Sequence, residues 1–232
     1  MAAARRVTRG RIIVVTSCTA RKVESNGRAV TAESLYSGQQ HVRLMRGVRS
    51  YRNARRRANG PKLRLTLQIV SAGKGLLPAR QRVNGYNQTF HGQPREAIRR
   101  RANELAVPEQ LRALLRQRYD LALLLLGDDY LEACQLDDDV VLGGTTLAFC
   151  GPAVARRLPG LEPLLPVELG NAEAKRFSCG LIALKGELGG RILGALAEEG
   201  RGVVESVREP GVNLLSWLDR RPRTDALVEG AD

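Results

Sequence analysis

Aromatic residues make up only 4% of the 232-residue chain, so a core must be built from the aliphatic side chains that dominate its 43% apolar content. No apolar run approaches the roughly eighteen residues that span a bilayer. The start, Met1 to Arg6, lacks the apolar middle of a secretion signal. A cytoplasmic protein without a membrane segment is the expectation. The four cysteines, Cys18, Cys134, Cys150 and Cys179, are far apart, and His41 and His91 are the only histidines. That spacing lacks the close pairs that announce zinc or iron–sulfur sites. No metal and no cofactor are expected, and Cys134, Cys150 and Cys179 read as reduced, mostly buried thiols. The Walker loop, the dinucleotide fingerprint and the zinc-deaminase signatures are missing as well.

Acidic residues are in deficit, 24 against 37 basic, for a net charge of +13. Lysine is scarce (22, 62, 74, 175 and 185), and arginine supplies the rest. A GC-rich genome explains Arg in place of Lys but not the excess of basic over acidic residues. The resulting positive field attracts polyanions, nucleic acid first; a solvated surface is the competing reading. Arg55-Arg56-Arg57 and Arg99-Arg100-Arg101 lie on predicted helices. Three consecutive residues span much of a helix circumference, which suits diffuse phosphate contact or plain solvation.

The length suits one domain, here residues 11–221, with a basic arm at 1–10 and a loose tail at 222–232. Arg11 to Thr16 is β-branched and reads as a buried strand. A helix capped by Ser34 or Ser37 should reach about Asn59, before Gly60-Pro61. Leu63 to Val70 alternates as a second strand. Two helices, 94–106 and 108–118, precede Asp120 to Leu126, which is apolar throughout and belongs in the middle of a covered sheet. A short helix starts near Gly127. Thr145 to Cys150 and Gly180 to Leu184 read as further strands, the latter followed by a helix at 187–198. Alternating strands and helices predict an α/β fold, a three-layer αβα sandwich around a mainly parallel sheet. Ligands in such folds sit outside the carboxyl ends of the strands. Three of those ends carry polar loops: Ser17 to Lys22, Ser71 to Lys74 and Gly127 to Tyr130.

Each loop has a functional and a plain interpretation. Ser17, Thr19, Arg21 and Lys22 offer hydroxyls, turn N–H groups and cations to an anion, or form an ordinary turn. Ser71-Ala72-Gly73-Lys74-Gly75 is a phosphate-sized loop or a tight turn. Tyr86-Asn87 lies in a long loop, where a ring can stack on a base and a carboxamide can hold water; Gly85 and Asn87 are also good turn formers. Asp128 and Asp129 begin a helix, where first-turn charge explains one of them and leaves the other on the site edge. Asp137-Asp138-Asp139 reads as a solvated turn.

Taken in order, the Cys18 turn, Leu35-Tyr36-Ser37, Ile69 to Pro78, Tyr86 to Phe90 and Leu126 to Tyr130 resemble a family of small uncharacterised bacterial proteins. That family is related to the YaaA peroxide-stress proteins and to a domain of archaeosine synthase, within the uracil-DNA glycosylase superfamily. The resemblance covers about residues 11–135. Such relatives carry Asp where this chain has Asn87 and Gly where it has Thr19, and the superfamily uses either Asp or Asn to hold the attacking water. The resemblance implies a DNA glycosylase. It would grip duplex DNA, flip a nucleotide, stack the base on Tyr86 with Cys18, Thr19 and Tyr130 nearby, and leave an abasic site. Asp128 or Asp129 would stabilise the oxocarbenium-like sugar, and Asn87 would position water. Ser17, Arg21, Lys22, Ser71, Lys74, Arg99 and Arg100 would hold DNA. The uracil signatures are absent, so a modified base is implied, such as glucosylated hydroxymethylcytosine of phage DNA, which would make this an antiviral monomer. The rivals are a non-enzymatic DNA-binding stress protein of the YaaA kind and an RNA- or nucleotide-modifying enzyme.

Overall fold

A computed structural model describes residues 10–227 apart from 25, 26, 58, 159 and 210. The basic arm, save Gly10, and residues 228–232 of the tail therefore lie outside the described residues. The strands are β1 (Arg11–Ser17), β2 (Val30–Thr31), β3 (Arg64–Ser71), β4 (Gly75–Pro78), β5 (Arg82–Val83), β6 (Leu121–Leu125), β7 (Thr145–Cys150) and β8 (Leu164–Glu168). The helices are α1 (Ala32–Leu35), α2 (Gln39–Ala54), α3 (Arg95–Glu104), α4 (Val107–Leu115), α5 (Asp128–Cys134), α6 (Pro152–Ala155), α7 (Asn171–Arg176), α8 (Leu181–Glu199), α9 (Gly202–Arg208) and α10 (Leu214–Asp219).

The main sheet has the order β4-β3-β1-β6-β7-β8. Five of its strands run parallel, and β4 returns antiparallel from β3 as an edge hairpin. Side-chain alternation divides the core in two. Ile13 and Val15 of β1 face a layer that includes Ala102, Leu111 and Leu131 of α3, α4 and α5. Ile12 and Val14 face Leu44 and Val48 of α2 and Leu188 and Ile192 of α8. The three-layer α/β sandwich follows, and the covering on both faces explains why β6 is buried throughout. Among the described residues no helix is long and apolar enough to cross a membrane.

Several local readings are corrected. Residues 180–184 do not form a strand. Leu181 opens α8, with Ile182 81% exposed and Leu184 buried, so the apolar run is a helix whose stripe repeats at 184, 188 and 192. The helix expected from Ser34 or Ser37 to Asn59 is two helices. Between them the backbone pairs with the preceding loop, Val23 N–H to Leu35 O and Ser37 N–H to Arg21 O, each about 3 Å. Neither serine caps α2, whose N-cap is Gly38. That helix ends at Ala54, so Arg55–Arg57 sit in a turn rather than on a helix. Arg112 bonds Asp137 at 2.8 Å and lies 3.7 Å from Asp139, so part of the acidic run is paired. The stretch after Pro222 is tied down as far as it is described: Thr224 is fully buried, and its hydroxyl donates to Glu187 at 2.6 Å.

The layer of α2 and α8 closes at glycines. A Cβ on Gly47 would stand 2.5 Å from the Gly190 backbone, and one on Gly186 would stand 2.0 Å from Gln40 O. No rotamer relieves a clash with backbone. Gly47→Ala is expected to destabilise by about 1–3 kcal/mol, outweighing the helix-propensity gain of about 1 kcal/mol. A lower urea midpoint checks this.

Candidate functional site at the carboxyl edge of the sheet

From β1 the chain crosses to β3 on one side, and later returns to β6 on the other. The strands β1 and β6 therefore part at a topological switch point, where doubly wound sheets open a crevice beyond their carboxyl ends. Gln40, in the first turn of α2, spans the gap. Its Nε2 donates to Thr16 Oγ1 at 3.1 Å and to Leu125 O at 2.8 Å, with Ser17 Oγ at 3.4 Å. The tight seat of Gly186 on Gln40 O holds this clamp in place. Beside it, Lys185 of α8 donates to Leu126 O at the end of β6. Burial lowers the Lys185 pKa, against the pull of Asp128 and Cys150.

On the other side of the sheet edge lies a cluster of hydroxyls and rings. Cys18 Sγ and Tyr130 OH are 3.0 Å apart. Ser71 Oγ accepts from the Gly73 and Lys74 N–H groups, at 3.3 and 3.0 Å, and donates to Tyr86 OH at 2.5 Å. Tyr86 OH in turn meets Tyr36 OH at 2.6 Å. The loop after β3 is thus closed by one serine, and Gly73 is required where it is, since a Cβ there would stand 2.5 Å from the Tyr86 ring. Lys22 Nζ lies 4.6 Å from the Tyr86 ring centroid, so the ring surface that would receive a base already carries an ammonium group. Phe90 packs edge-on against Tyr130.

All five tyrosines are held above their ordinary pKa by burial, Tyr36 and Tyr51 up to about 12 and Tyr86, Tyr119 and Tyr130 also upward. Because each is raised in the folded protein, its contribution to stability is whole below about pH 10 and is lost as pH rises toward the folded values. An alkaline titration should show tyrosinate absorbance delayed beyond the ordinary tyrosine range near pH ~10 in the native protein, then released on unfolding.

The two neighbouring aspartates have different surroundings. Asp129 Oδ2 accepts from Gly92 N–H at 3.1 Å and pairs with His91 Nδ1 at 3.1 Å, fixing the turn after Phe90. Asp128 is exposed and bonds no described side chain. It lines a cavity of about 130 Å³ with Arg95, Arg99 and Arg157. Burial raises the Glu132 pKa there, but hydrogen bonds from Arg95 and Arg99 outweigh it and hold the carboxyl below its usual range. Asn87 lies elsewhere, in a cavity of about 410 Å³ with Thr89, Arg100 and Arg101.

The edge therefore gathers Ser17, Cys18, Ser71, Tyr86, Lys22 and Tyr130, while Asn87 and Asp128 line separate cavities. Thr19 uses its hydroxyl to tie its turn to the start of α2, donating to Arg21 O at 2.7 Å and accepting from the N-cap Gly38 N–H at 3.2 Å. Arg21, Lys74 and Arg100 are exposed. Gln40 and Lys185 were not anticipated. A lysine directly after the apolar run Leu181 to Leu184 was the available signal for the second, and nothing local marked the first. Among the described residues no group of three or more His, Cys, Asp or Glu side chains could hold a metal ion. The chain matches no family model, no curated protein and no solved structure.

Proposed function

We propose that the chain is a DNA glycosylase whose reaction is centred on Asp128. The carrying observation is the contrast at the end of β6: one aspartate is bound into a turn, and the other is an exposed carboxylate without a hydrogen-bond partner among the described residues, at the lining of a small cavity shared with Arg95, Arg99, Arg157 and Glu132. Arg157 supplies positive charge for a phosphate flanking a flipped nucleotide, while Arg95 and Arg99, paired with Glu132 at 2.9 and 2.5 Å, would exchange that carboxylate for phosphate on binding. As the C1′–N bond breaks, its electron pair leaves with the base and the sugar becomes oxocarbenium-like. The Asp128 carboxylate stabilises that cation. Water adds to C1′, its proton passes to solvent or the leaving base, and an abasic site remains. Asn87 borders the neighbouring cavity, where the Arg100 and Arg101 side chains also stand. Stacking of the base on Tyr86 requires the Lys22 ammonium to swing off the ring toward a phosphate. The motif resemblance points to a modified cytosine as the base.

The second reading, a DNA-binding protein with no catalytic step, draws on the closed Ser71–Tyr86–Tyr36 network and the cation already over Tyr86. Incubation with ordinary DNA, uracil-containing DNA and phage DNA carrying glucosylated hydroxymethylcytosine separates the two. The glycosylase predicts alkali-labile breaks in the modified DNA alone. Binding without breaks in any of the three supports the second reading.

A further inference from the structure

A second cationic surface lies away from the switch point, where the C-terminal end of α2 faces the first half of β3. The strand β4 pairs only with Gln68 to Ser71, so the stretch from Arg64 to Leu67 has no strand on that side. The groove there has a volume of about 560 Å³ and is lined by Arg55, Arg56, Arg64 and Arg80, with no Asp or Glu. These four guanidinium groups have no hydrogen-bond or ion-pair partner among the described residues. Arg52 also borders the groove but is held by both oxygens of Glu33, at 3.0 and 2.8 Å. Burial, and after it the charge of Arg64, lower the pKa of neighbouring Arg11. Gln68 Oε1 is buried beside the groove and accepts no hydrogen bond from the described residues.

Charge on a free strand edge also keeps other strands from pairing. A single inward charge serves that purpose. Four arginines converging on one groove, in a chain with 24 acidic residues available to neutralise them, form a site for a polyanion.

We propose that this groove is a second phosphate track for the same duplex DNA, engaged beyond the flipped nucleotide. The proposal rests on DNA as the partner. The eight-residue strand β3 joins the two surfaces, Arg64 at the groove and Ser71 at the switch edge. At about 3.3 Å per residue they are roughly 23 Å apart, or about seven base pairs at ~3.4 Å each. A duplex ending within that distance of the target on either side cannot fill both.

The test is duplex binding as a function of salt, using an abasic-analogue duplex with arms of about 15 or about 4 base pairs. The variants are Arg64→Gln with Arg80→Gln and, as an independent pair, Arg55→Gln with Arg56→Gln. All four side chains are on exposed residues, and unchanged melting temperatures confirm folding. Each pair should reduce the slope of log K against log salt by about 2 on the long-armed duplex. Neither should change it on the short-armed one. Unchanged slopes on both duplexes overturn the proposal. So does displacement of wild type, but not the variants, by polyglutamate while DNA slopes stay equal, which would assign the groove to an acidic protein. Because the readout is binding alone, absence of base release would refute the glycosylase and leave this result standing.

Discussion

Glu187→Ala should lower the stability of the folded chain by about 3–5 kcal/mol, the cost of removing one partner from a buried ionic network. The Glu187 side chain is fully buried. It accepts from Arg43 at 2.7 Å, from Arg191 at 2.9 Å and from the Thr224 N–H and hydroxyl at 3.2 and 2.6 Å. Arg191 is 4% exposed, so loss of the carboxylate leaves a cation in the core with the carbonyls of Leu218 and Arg221 and the face of Phe177 but no counter-charge. The network joins α2, α8 and the segment after Pro222, and all three loosen together. Burial pushes the Glu187 pKa up, but these four bonds outweigh it and hold it at about 2. Its stabilisation is therefore complete above the ordinary glutamate pKa of about 4.3 and is lost as pH falls from there toward 2. Urea midpoints at pH 7 and pH 3 check both statements: the wild type should lose more between them than Glu187→Gln, which has no carboxylate to protonate.

Asp128→Asn should slow base release by on the order of 10²–10³, the usual effect of removing one preorganised stabilising group. DNA affinity should be nearly unchanged, since phosphate contacts come from the arginines. Asp129→Asn should cost less than about tenfold, because that side chain acts through the turn at His91 and Gly92 and its amide oxygen can still accept from Gly92 N–H. A circular dichroism spectrum equal to wild type for both variants separates chemistry from folding.

How much of this was readable beforehand depended on how directly each feature is encoded. The strands β1, β3, β6 and β7 carry β-branched, alternating or fully apolar runs, and their order with intervening helices led to the parallel sheet and its carboxyl edge. The strand β8 was missed because Pro166 interrupts it and three of its five residues are exposed; it is an edge strand, where proline is tolerated. The hairpin strand β4 was read as loop because glycine and proline bound it. The start of α8 was misread because a four-residue apolar run has no resolvable period. Within the site, the adjacent aspartates are indistinguishable in sequence. Their separation depends on His91 and Gly92, which only the fold brings to Asp129. The burial of Thr224 was equally invisible, since its partner lies 37 residues away.

The most direct test of the central claim is mass-spectrometric detection of free base released from glucosylated phage DNA under single turnover, with wild type and Asp128→Asn side by side. Release of the modified base by the wild type, slowed on the order of 10²-fold or more in the variant at equal DNA affinity, is the predicted result. DNA bound by the wild type with no base released, or equal release by both proteins, would contradict it.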